Sequence, residues 1–582
     1  MKPAFLSSLT QQTRIWTGWC HQHLDKKRML LILMLLASLV VLIGHQLIAP
    51  VDRDEARFAQ ASRQMAETQD YIVVRFQDEL RAKKPAGIYW LQSLSAQIFS
   101  LDNIAAYRLP SLLGYLAAIF LTWHLYRTTC PNADRRGAFL AAAMMASALI
   151  VFAEAHLAKT DSVLLALCLL QQFLLWRIYR DRKSERSAGW LAFWSVMGLA
   201  ILIKGPIAPA LAALTFLGLS ALDRDFSWWR RLRPFYGFGL LALITLPWAV
   251  AVQLVTEGAF LSIAVGEDFL PKLKSGQESH GAPPGTYLLL MPILLFPASL
   301  FIGRLAVLNR AFFASDGPRF LLVWLVCYWL MVELIPTKLP HYVLPALPAL
   351  FCLMAGALCT ASAAGWRLWV EAVLAGTTAL MMLVFFGILG WAASQYGGQT
   401  GGRAFLAVLV GLCLLCWLFW QAGTRLWAEW QAGGSGSAAG IGKIWPLLIY
   451  AIALQFLIFS GVFAHLQKMH VSTQLHAEVA RLDPAPTSLA LAGYHEPSAV
   501  FLLGQDSFLL KPREAALFLA EAPGAVALIE TRAEADFLSM AEDLSLKIEK
   551  IHTIDGFNIS RGQEIELHFY RKRAFDAAQP EG

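Results

Sequence analysis

Charge is the scarcest thing in this sequence. Only 15% of its 582 residues are Asp, Glu, Lys or Arg, against about 25% in an ordinary soluble chain. That shortage excludes intrinsic disorder, which needs high charge and few apolar residues, and it excludes an ordinary cytosolic enzyme. Cysteine is sparse too, with eight residues in all, so a disulfide-stapled secreted module is excluded. Six of them, Cys168, Cys327, Cys352, Cys359, Cys413 and Cys416, fall inside apolar runs, where no structural disulfide is expected. Cys413 and Cys416 have the spacing of a metal pair but no second pair to complete it, so they read as packing. No short repeat recurs at a fixed period, which removes solenoids and propellers.

What the chain has instead is 57% hydrophobic residues, gathered in blocks of about 17–22, long enough to cross a hydrocarbon core of roughly 30 Å. The blocks run over 29–47, 105–125, 138–153, 162–179, 189–203, 206–221, 237–255, 286–303, 320–335, 342–359, 368–388, 404–421 and 445–464. The expected fold class is therefore an α-helical polytopic membrane protein with about thirteen spans. The first block follows Lys26, Lys27 and Arg28 and exceeds the core of a signal peptide, so it reads as an uncleaved anchor.

The loops alternate in charge. One side carries Arg177, Arg180, Arg182, Lys183 and Arg186 in one loop and Arg224, Arg230, Arg231 and Arg233 in another. About 23 Lys and Arg lie on that side and about six in the short loops opposite, which makes the N-terminus cytoplasmic. An odd number of spans then places the C-terminus outside. The net charge of +7 would by itself suit nucleic acid or anionic lipid, but sorted by side it is mostly an orientation signal. Nucleic acid is not expected as a partner.

The domain organisation follows: a cytoplasmic N-terminus over 1–28, a membrane domain over 29–464, and a periplasmic α/β domain over 465–582. Within the membrane domain, the external loop 49–104 holds two amphipathic stretches, Asp54–Thr68 and Ile88–Phe99, expected to lie in the membrane interface. The tail alternates strand-like runs at Ser488–Ala492, Ala525–Ile529 and Glu564–Tyr570 with helical ones at Pro512–Ala522 and Arg532–Glu542. The Gly/Ser-rich stretch 432–442 is a linker.

Chemistry-bearing residues gather at the external ends of spans. Asp54, Glu55 and Arg57 follow the first block; Lys83 and Lys84 precede Pro85 and the aromatic pair Tyr89-Trp90. Asp161 follows Thr160 at the start of a span, and Lys204 interrupts two apolar runs before Gly205-Pro206. Glu278 and His280 lie in a Gly/Pro-rich loop, and Lys338, His341 and Tyr342 share a Pro-stiffened turn. Each segment alone also fits a structural role: capping a helix start, snorkelling of a basic side chain, or a plain turn. Their shared side favours chemistry, with a carboxylate as general base and Lys or Arg on an anion. One Glu and one His fall short of a metal-ligand set.

Taken in this order, Asp-Glu-x-Arg-Phe, Lys-Pro before Tyr-Trp, Thr-Asp, Lys-Gly-Pro and Thr-Lys-Leu-Pro-His-Tyr resemble the GT-C integral-membrane glycosyltransferases of the aminoarabinose-transferase and protein O-mannosyltransferase-like group, over roughly residues 28–350. The resemblance implies transfer of a sugar from a polyprenyl-phosphate donor to a lipid of the lipid A kind, a glycan or a protein at the outer face of the inner membrane. It implies Asp54 and Asp161 as catalytic acids, and Arg57, Lys84, Lys204 and Lys338 as donor-phosphate ligands. Glu55, Lys83, His280, His341 and Tyr342 would line the substrate cavity. No cofactor is expected. A divalent metal would have only Glu278 and His280, because this chain carries Lys83 where aminoarabinose transferases typically have Glu. Single displacement would invert the anomeric carbon. The rival classes are a transporter or flippase of lipid-linked sugars, whose sites sit near the bilayer midplane, and a scaffold, which leaves the external charges unexplained.

Overall fold

The computed structural model describes residues 27–130, 135–181, 189–269, 271, 281–360, 365–431, 441–504 and 507–573. Every apolar block of the sequence is helical, because a segment in lipid must satisfy its backbone groups internally. Among the described residues, nine helical stretches are long and apolar enough to cross a membrane, and two further pairs of helices pass that test as bent units. The blocks at 189–203 and 206–221 form shorter apolar helices. The chain is a multi-span membrane protein with a small sheet domain at its C-terminal end.

In chain order, α1 (Lys27–Leu47) is the first long helix, followed by α2 (Asp54–Thr68), the short hairpin β1 (Arg75–Phe76) and β2 (Glu79–Leu80), and α3 (Gly87–Phe99). The bundle continues with α4 (Ile104–Thr129), α5 (Arg135–Ser147), α6 (Leu149–Ala155), α7 (Asp161–Arg180), α8 (Gly189–Lys204), α9 (Ile207–Asp223) and α10 (Pro234–Val255). After α11 (Thr286–Leu294) and a 3₁₀ segment (Ala298–Val307) come α12 (Asp316–Leu334), α13 (Leu347–Thr360), α14 (Trp366–Tyr396), α15 (Gly401–Gln431) and α16 (Ile441–Phe456).

Two spans are broken inside the bundle. The chain bends by 60° between α5 and α6, and by 119° between α11 and the 3₁₀ segment that follows it. Breaking a helix in lipid frees backbone groups, which is tolerable only where protein re-satisfies them. Here the two breaks serve each other: the Leu149 N–H donates to the Phe296 carbonyl at 3.0 Å. The Tyr115 hydroxyl donates to the Ala146 carbonyl at 2.5 Å, and the Gln455 amide reaches the Ser147 carbonyl. The bend redirects α6, so that Glu154 and the turn after it approach the ends of α1 and α2.

The two amphipathic helices divide the roles expected of both. On α3, Leu91, Leu94, Ile98 and Phe99 are exposed, an apolar stripe suited to a lipid surface. On α2 the corresponding face is covered by protein. Phe58, Ser62 and Met65 are buried, and so are Ala59 and Gln60 between them, because α2 is covered by α3 on one side and by the C-terminal domain on another. Ser62 joins the two helices, donating to Gln92 Oε1 and accepting at its carbonyl from Ser93, both at 2.7 Å.

The C-terminal domain comprises α17 (Val471–Val479), β3 (Leu489–Ala492), α18 (Pro497–Leu503), β4 (Ser507–Leu509), α19 (Pro512–Glu521), β5 (Val526–Glu530), α20 (Thr531–Asp543), β6 (Ile548–Asn558) and β7 (Gln563–Lys572). The sheet order is β4-β3-β5-β7-β6, with β3 parallel to both of its neighbours and β7 antiparallel. Residues of β3 and β5 are buried throughout, as strands covered on both faces should be. With a side-chain period of two, Leu489, Leu491, Val526 and Leu528 face a core with Val471 and Leu475. Ala490, Ala492, Ala527 and Ile529 face a second core with Leu519 and Phe537.

This domain docks on the loop after α1 and on α2. Phe501 packs with Ala59, Ala96, Tyr107 and Ala158, its ring 5.4 Å from that of Tyr107. Arg63 donates to the Phe501 carbonyl at 3.1 Å and Gln77 to the Ser507 carbonyl at 3.2 Å. The Asp52 carboxylate accepts from the Ser498 N–H at 2.9 Å and from its hydroxyl at 2.7 Å. Burial under the domain pushes the Asp52 carboxyl up to about 7 from 3.8, with Glu496 adding to the rise and Arg57 and the Ser498 hydrogen bonds opposing it. A raised acid favours the docked state below its free pKa and loses that contribution as pH climbs through the docked value. Protection factors across α18, with the intrinsic pH dependence of amide exchange divided out, should therefore be higher at pH 5.5 than at pH 8.5, and Asp52→Asn should remove most of that difference.

Candidate active site

The site starts from one buried ion pair. Arg108, on α4, meets Glu55, on α2, through two parallel bonds: Nε to Oε1 at 2.7 Å and Nη2 to Oε2 at 2.8 Å. Arg108 is 0% and Glu55 1% exposed, a depth at which a charge is tolerable only with complete pairing. Pairing is complete. Arg108 also donates to the carbonyls of His45, Ile48 and Ala49, the end of α1, at 2.9, 2.7 and 3.1 Å. Glu55 also accepts from the N–H of Val51 at 2.8 Å and of Ala158 at 2.7 Å. The expectation that Glu55 lines the substrate cavity is corrected: both of its oxygens are committed to the scaffold.

Asp54, the neighbouring residue, is exposed at the start of α2. It makes no hydrogen bond or ion pair among the described residues, yet lies within Coulomb reach of Lys159. Arg57 stands one turn along the same helix, three residues on and hence on the same face, and is partly buried.

A second cluster forms where α6, α7, α8 and the Pro340 turn meet. Asp161 begins α7 and receives Lys204 Nζ at 2.5 Å, with Lys159 Nζ at 3.9 Å. Lys159 also reaches Glu154 Oε1 at 3.2 Å. His341 sits between the two acids, Nδ1 3.7 Å from Glu154 Oε1 and Nε2 3.7 Å from Asp161 Oδ1. The Lys204 ammonium lies 6.0 Å from the centre of the Tyr342 ring. Burial alone would lower the Lys159 pKa, but Glu154, Asp161 and Asp54 outweigh it and hold the ammonium above its ordinary range.

Local sequence explains the convergence. Gly205 takes a left-handed φ of +67° with open space around it, so Lys-Gly-Pro ends α8 sharply and leaves Lys204 at the helix end. Gly87, in the Lys-Pro-Ala-Gly run, lets α3 press on α8: a Cβ there would fall 2.7 Å from the Leu202 carbonyl oxygen. That approach brings Lys84 beside the end of α8 and within Coulomb reach of His341. The Lys84 ammonium donates to the Lys83 carbonyl at 2.9 Å, and Lys83 itself is exposed.

Lys338 is a further correction. Rather than facing a donor phosphate, its ammonium caps the end of α12, donating to the carbonyls of Val332 at 3.3 Å, Glu333 at 2.7 Å and Ile335. Burial lowers its pKa, against an opposing pull from Glu333. Three donors meet three helix-end acceptors, which leaves none for a ligand. Glu278 and His280 lie outside the described residues. Among the described residues, no group of three His, Cys, Asp or Glu side chains is placed to hold a metal ion.

Three residues of this arrangement escaped the sequence reading: Arg108, Glu154 and Lys159. A signal existed for the first two, since an ionisable residue inside an apolar run is a functional suspect by default. Lys159 directly precedes the Thr-Asp pair and is drawn in by it.

The bundle with its small C-terminal sheet domain has the fold of a solved membrane protein. The structure of ArnT from Cupriavidus metallidurans bound to undecaprenyl phosphate superposes with a TM-score of 0.70 at 17% identity, covering 95% of this chain and 99% of that one. The apo form of the same protein gives 0.69, covering 92% and 97%. A model of the dolichyl-phosphate-mannose-protein mannosyltransferase family matches residues 83–250.

Among curated sequences, the undecaprenyl phosphate-α-4-amino-4-deoxy-L-arabinose arabinosyl transferase of Erwinia tasmaniensis is 28% identical, over 56% of this chain and 59% of its own length. That match thus spans less than two thirds of the relative. The Enterobacter sp. protein of the same name is 23% identical over 69% and 73%. A third, from Pseudomonas fluorescens, is 30% identical over 62% and 65%. The chain is thus similar in sequence to aminoarabinose transferases over part of its length, and shares the fold of ArnT over nearly all of it.

The cap gives Lys338 a structural role. Lys338→Met should lower the melting temperature in detergent, because it leaves the last carbonyls of α12 without their donor; an unchanged melting temperature would remove that role.

Proposed function

We propose that the chain transfers a sugar from a polyprenyl-phosphate donor to a lipid acceptor of the lipid A kind, at the periplasmic face of a bacterial inner membrane. The N-terminus is then cytoplasmic and the C-terminal domain periplasmic, in keeping with the basic loops at the opposite span ends. The observation that carries this reading is the meeting of Lys84, Lys159 and Lys204 with Asp161 and His341 beside Asp54 and Arg57, at one end of a GT-C bundle.

Polyprenyl phosphate is a weakly basic leaving group, so it needs charge stabilisation more than protonation. Lys84, Lys204 and Arg57 supply that charge from fixed positions, which favours the transition state because little reorganisation is required. Asp161, held by Lys204 and Lys159, fixes where those ammoniums sit. With a hydroxyl acceptor, the acceptor oxygen bonds to the anomeric carbon, the bond to the phosphate oxygen breaks with its electron pair, and the acceptor proton passes to Asp54. With a phosphate acceptor no proton moves, and Asp54 faces the positive charge developing on the sugar. Either course is a single displacement with inversion. In this proposal the positive charge comes from Lys and Arg, with no metal required.

The two broken spans are a feature that transporters share. In transporters the freed backbone groups serve the cargo; here Phe296, Tyr115 and Gln455 take them up. Transfer therefore remains the better reading.

The test is transfer of labelled sugar by the purified chain in nanodiscs. Asp54→Asn should cut the rate by about 100-fold or more with membrane expression intact, and Lys84→Ala should chiefly raise KM for the donor. An unimpaired Asp54→Asn enzyme would sink the assignment. Mass spectrometry of lipid A and envelope glycans from a deletion strain should show the loss of one sugar from one species, which names both substrates.

A further inference from the structure

Among the described residues, Glu154 is the one buried carboxylate of the site that the protein leaves half-satisfied. It is 5% exposed, and its Oε1 has Lys159 Nζ at 3.2 Å and His341 Nδ1 at 3.7 Å. Its Oε2 is buried without a hydrogen-bond donor among the described residues. A carboxylate offers about four acceptor positions, and leaving a buried one unmade costs roughly 1–3 kcal/mol, more when charged. The neighbouring acids are settled differently. Asp161 is held by two lysines and the Thr160 hydroxyl, and Glu55 accepts from Arg108 and two backbone N–H groups. Glu371 Oε2 also has no hydrogen bond, but it lies 2.9 Å from Arg304 Nε in an ion pair. Among the described residues, only Glu154 combines a buried open oxygen with a place in the site.

We propose that Glu154 recognises the transferred sugar, its free oxygen accepting a hydrogen bond from a hydroxyl or an ammonium on the ring. The inference rests on the glycosyl-transfer reading and deepens it. Charge decides the partner. A phosphate belongs among Lys84, Lys204 and Arg57, and a carboxylate beside it would repel a second anion. Glu154 therefore suits the part of the donor that is neutral or positive and carries donors, which is the sugar. The backbone bend between α5 and α6 is what aims it: Glu154 lies six residues past the break at Ala148, on the redirected α6. A site built around a hydrogen bond to its substrate rejects analogues that lack the donor, because its own buried acceptor is then left unpaired.

The experiment uses the full chain in nanodiscs and three probes: undecaprenyl phosphate without sugar, the same lipid bearing a neutral sugar, and the same lipid bearing an amino sugar. Dissociation constants are compared for the wild type, Glu154→Gln and Glu154→Ala, with gel filtration and melting as checks on folding. Both variants should bind the bare lipid within about twofold of the wild type, and Glu154→Ala should lose about tenfold on the sugar-bearing lipid that the wild type binds most tightly. Glu154→Gln keeps an acceptor but no charge. It should rescue binding where the partner is a hydroxyl and fail to do so where it is an ammonium, and either result supports the proposal while naming the donor. Equal losses on bare and sugar-bearing lipids would overturn it, since Glu154 would then act only through Lys159, as would unchanged affinity for all three. A wild type that does not bind undecaprenyl phosphate at all would overturn the transfer reading itself, and this inference with it.

Discussion

The Arg108–Glu55 pair is the constraint from which the rest of the site follows. Its guanidinium closes the end of α1 through three carbonyls, and its carboxylate partner ties the start of α2 to the turn at Ala158. The 45–55 segment, α4 and the turn at Ala158, far apart in sequence, are thereby fixed in register by one residue pair. Burying two charges is justified only by such completeness, because the desolvation of each costs several kcal/mol that Coulomb attraction alone barely returns. The consequence for chemistry is positional. Asp54 and Arg57 flank Glu55 on α2, while Lys159 and Asp161 follow Ala158 by one and three residues. Fixing Glu55 and Ala158 together brings the two halves of the site face to face.

Further elements act on the same geometry from outside. The broken span delivers Glu154, Gly87 allows Lys84 to approach the end of α8, and Gly205 stops α8 at Lys204. The C-terminal domain completes the enclosure, with Ser498 on Asp52 and Phe501 against Ala59 and Ala158. Asp52 is two residues from Asp54 and Ala158 is three from Asp161. The domain thus rests on both segments that carry the acids, and its docking and the shape of the site are one mechanical unit.

The fold was legible in sequence wherever a local rule applied. Apolar blocks of spanning length gave the helices, and Ser488–Ala492, Ala525–Ile529 and Glu564–Tyr570 became strands, because period and β-branching are local properties. The site was legible as a side of the membrane but not as contacts. Lys338 and Lys84 look equivalent in sequence, each a lysine near a proline at a span end. What separates them is that Lys338 folds back on the open carbonyls of α12, and sequence carries no direction for a side chain. Glu55 and Asp54 are adjacent and chemically alike, yet α2 turns one inward and the other outward through the helical period. Only knowing that α4 supplies Arg108 decides which is which. The bend at Ala148 left no mark either, having neither a proline nor a glycine to announce it.

The net charge of +7 takes its final meaning from this placement. Arg177 and Arg180 lie in the last turn of α7, at the opposite end of that helix from Asp161. At the site, three lysines, Lys84, Lys159 and Lys204, face two buried acids, Glu154 and Asp161, while Asp54 and Arg57 share one helix face and balance each other. One positive charge is left over. On the proposed reading, a sugar phosphodiester would bring its single negative charge to that cluster and neutralise it without displacing any internal partner. Departure of the sugar would leave a phosphate monoester of higher negative charge, which the same lysines would bind more strongly. Read so, the arrangement favours the charge that develops as the bond breaks over the charge of the ground state, as electrostatic catalysis requires.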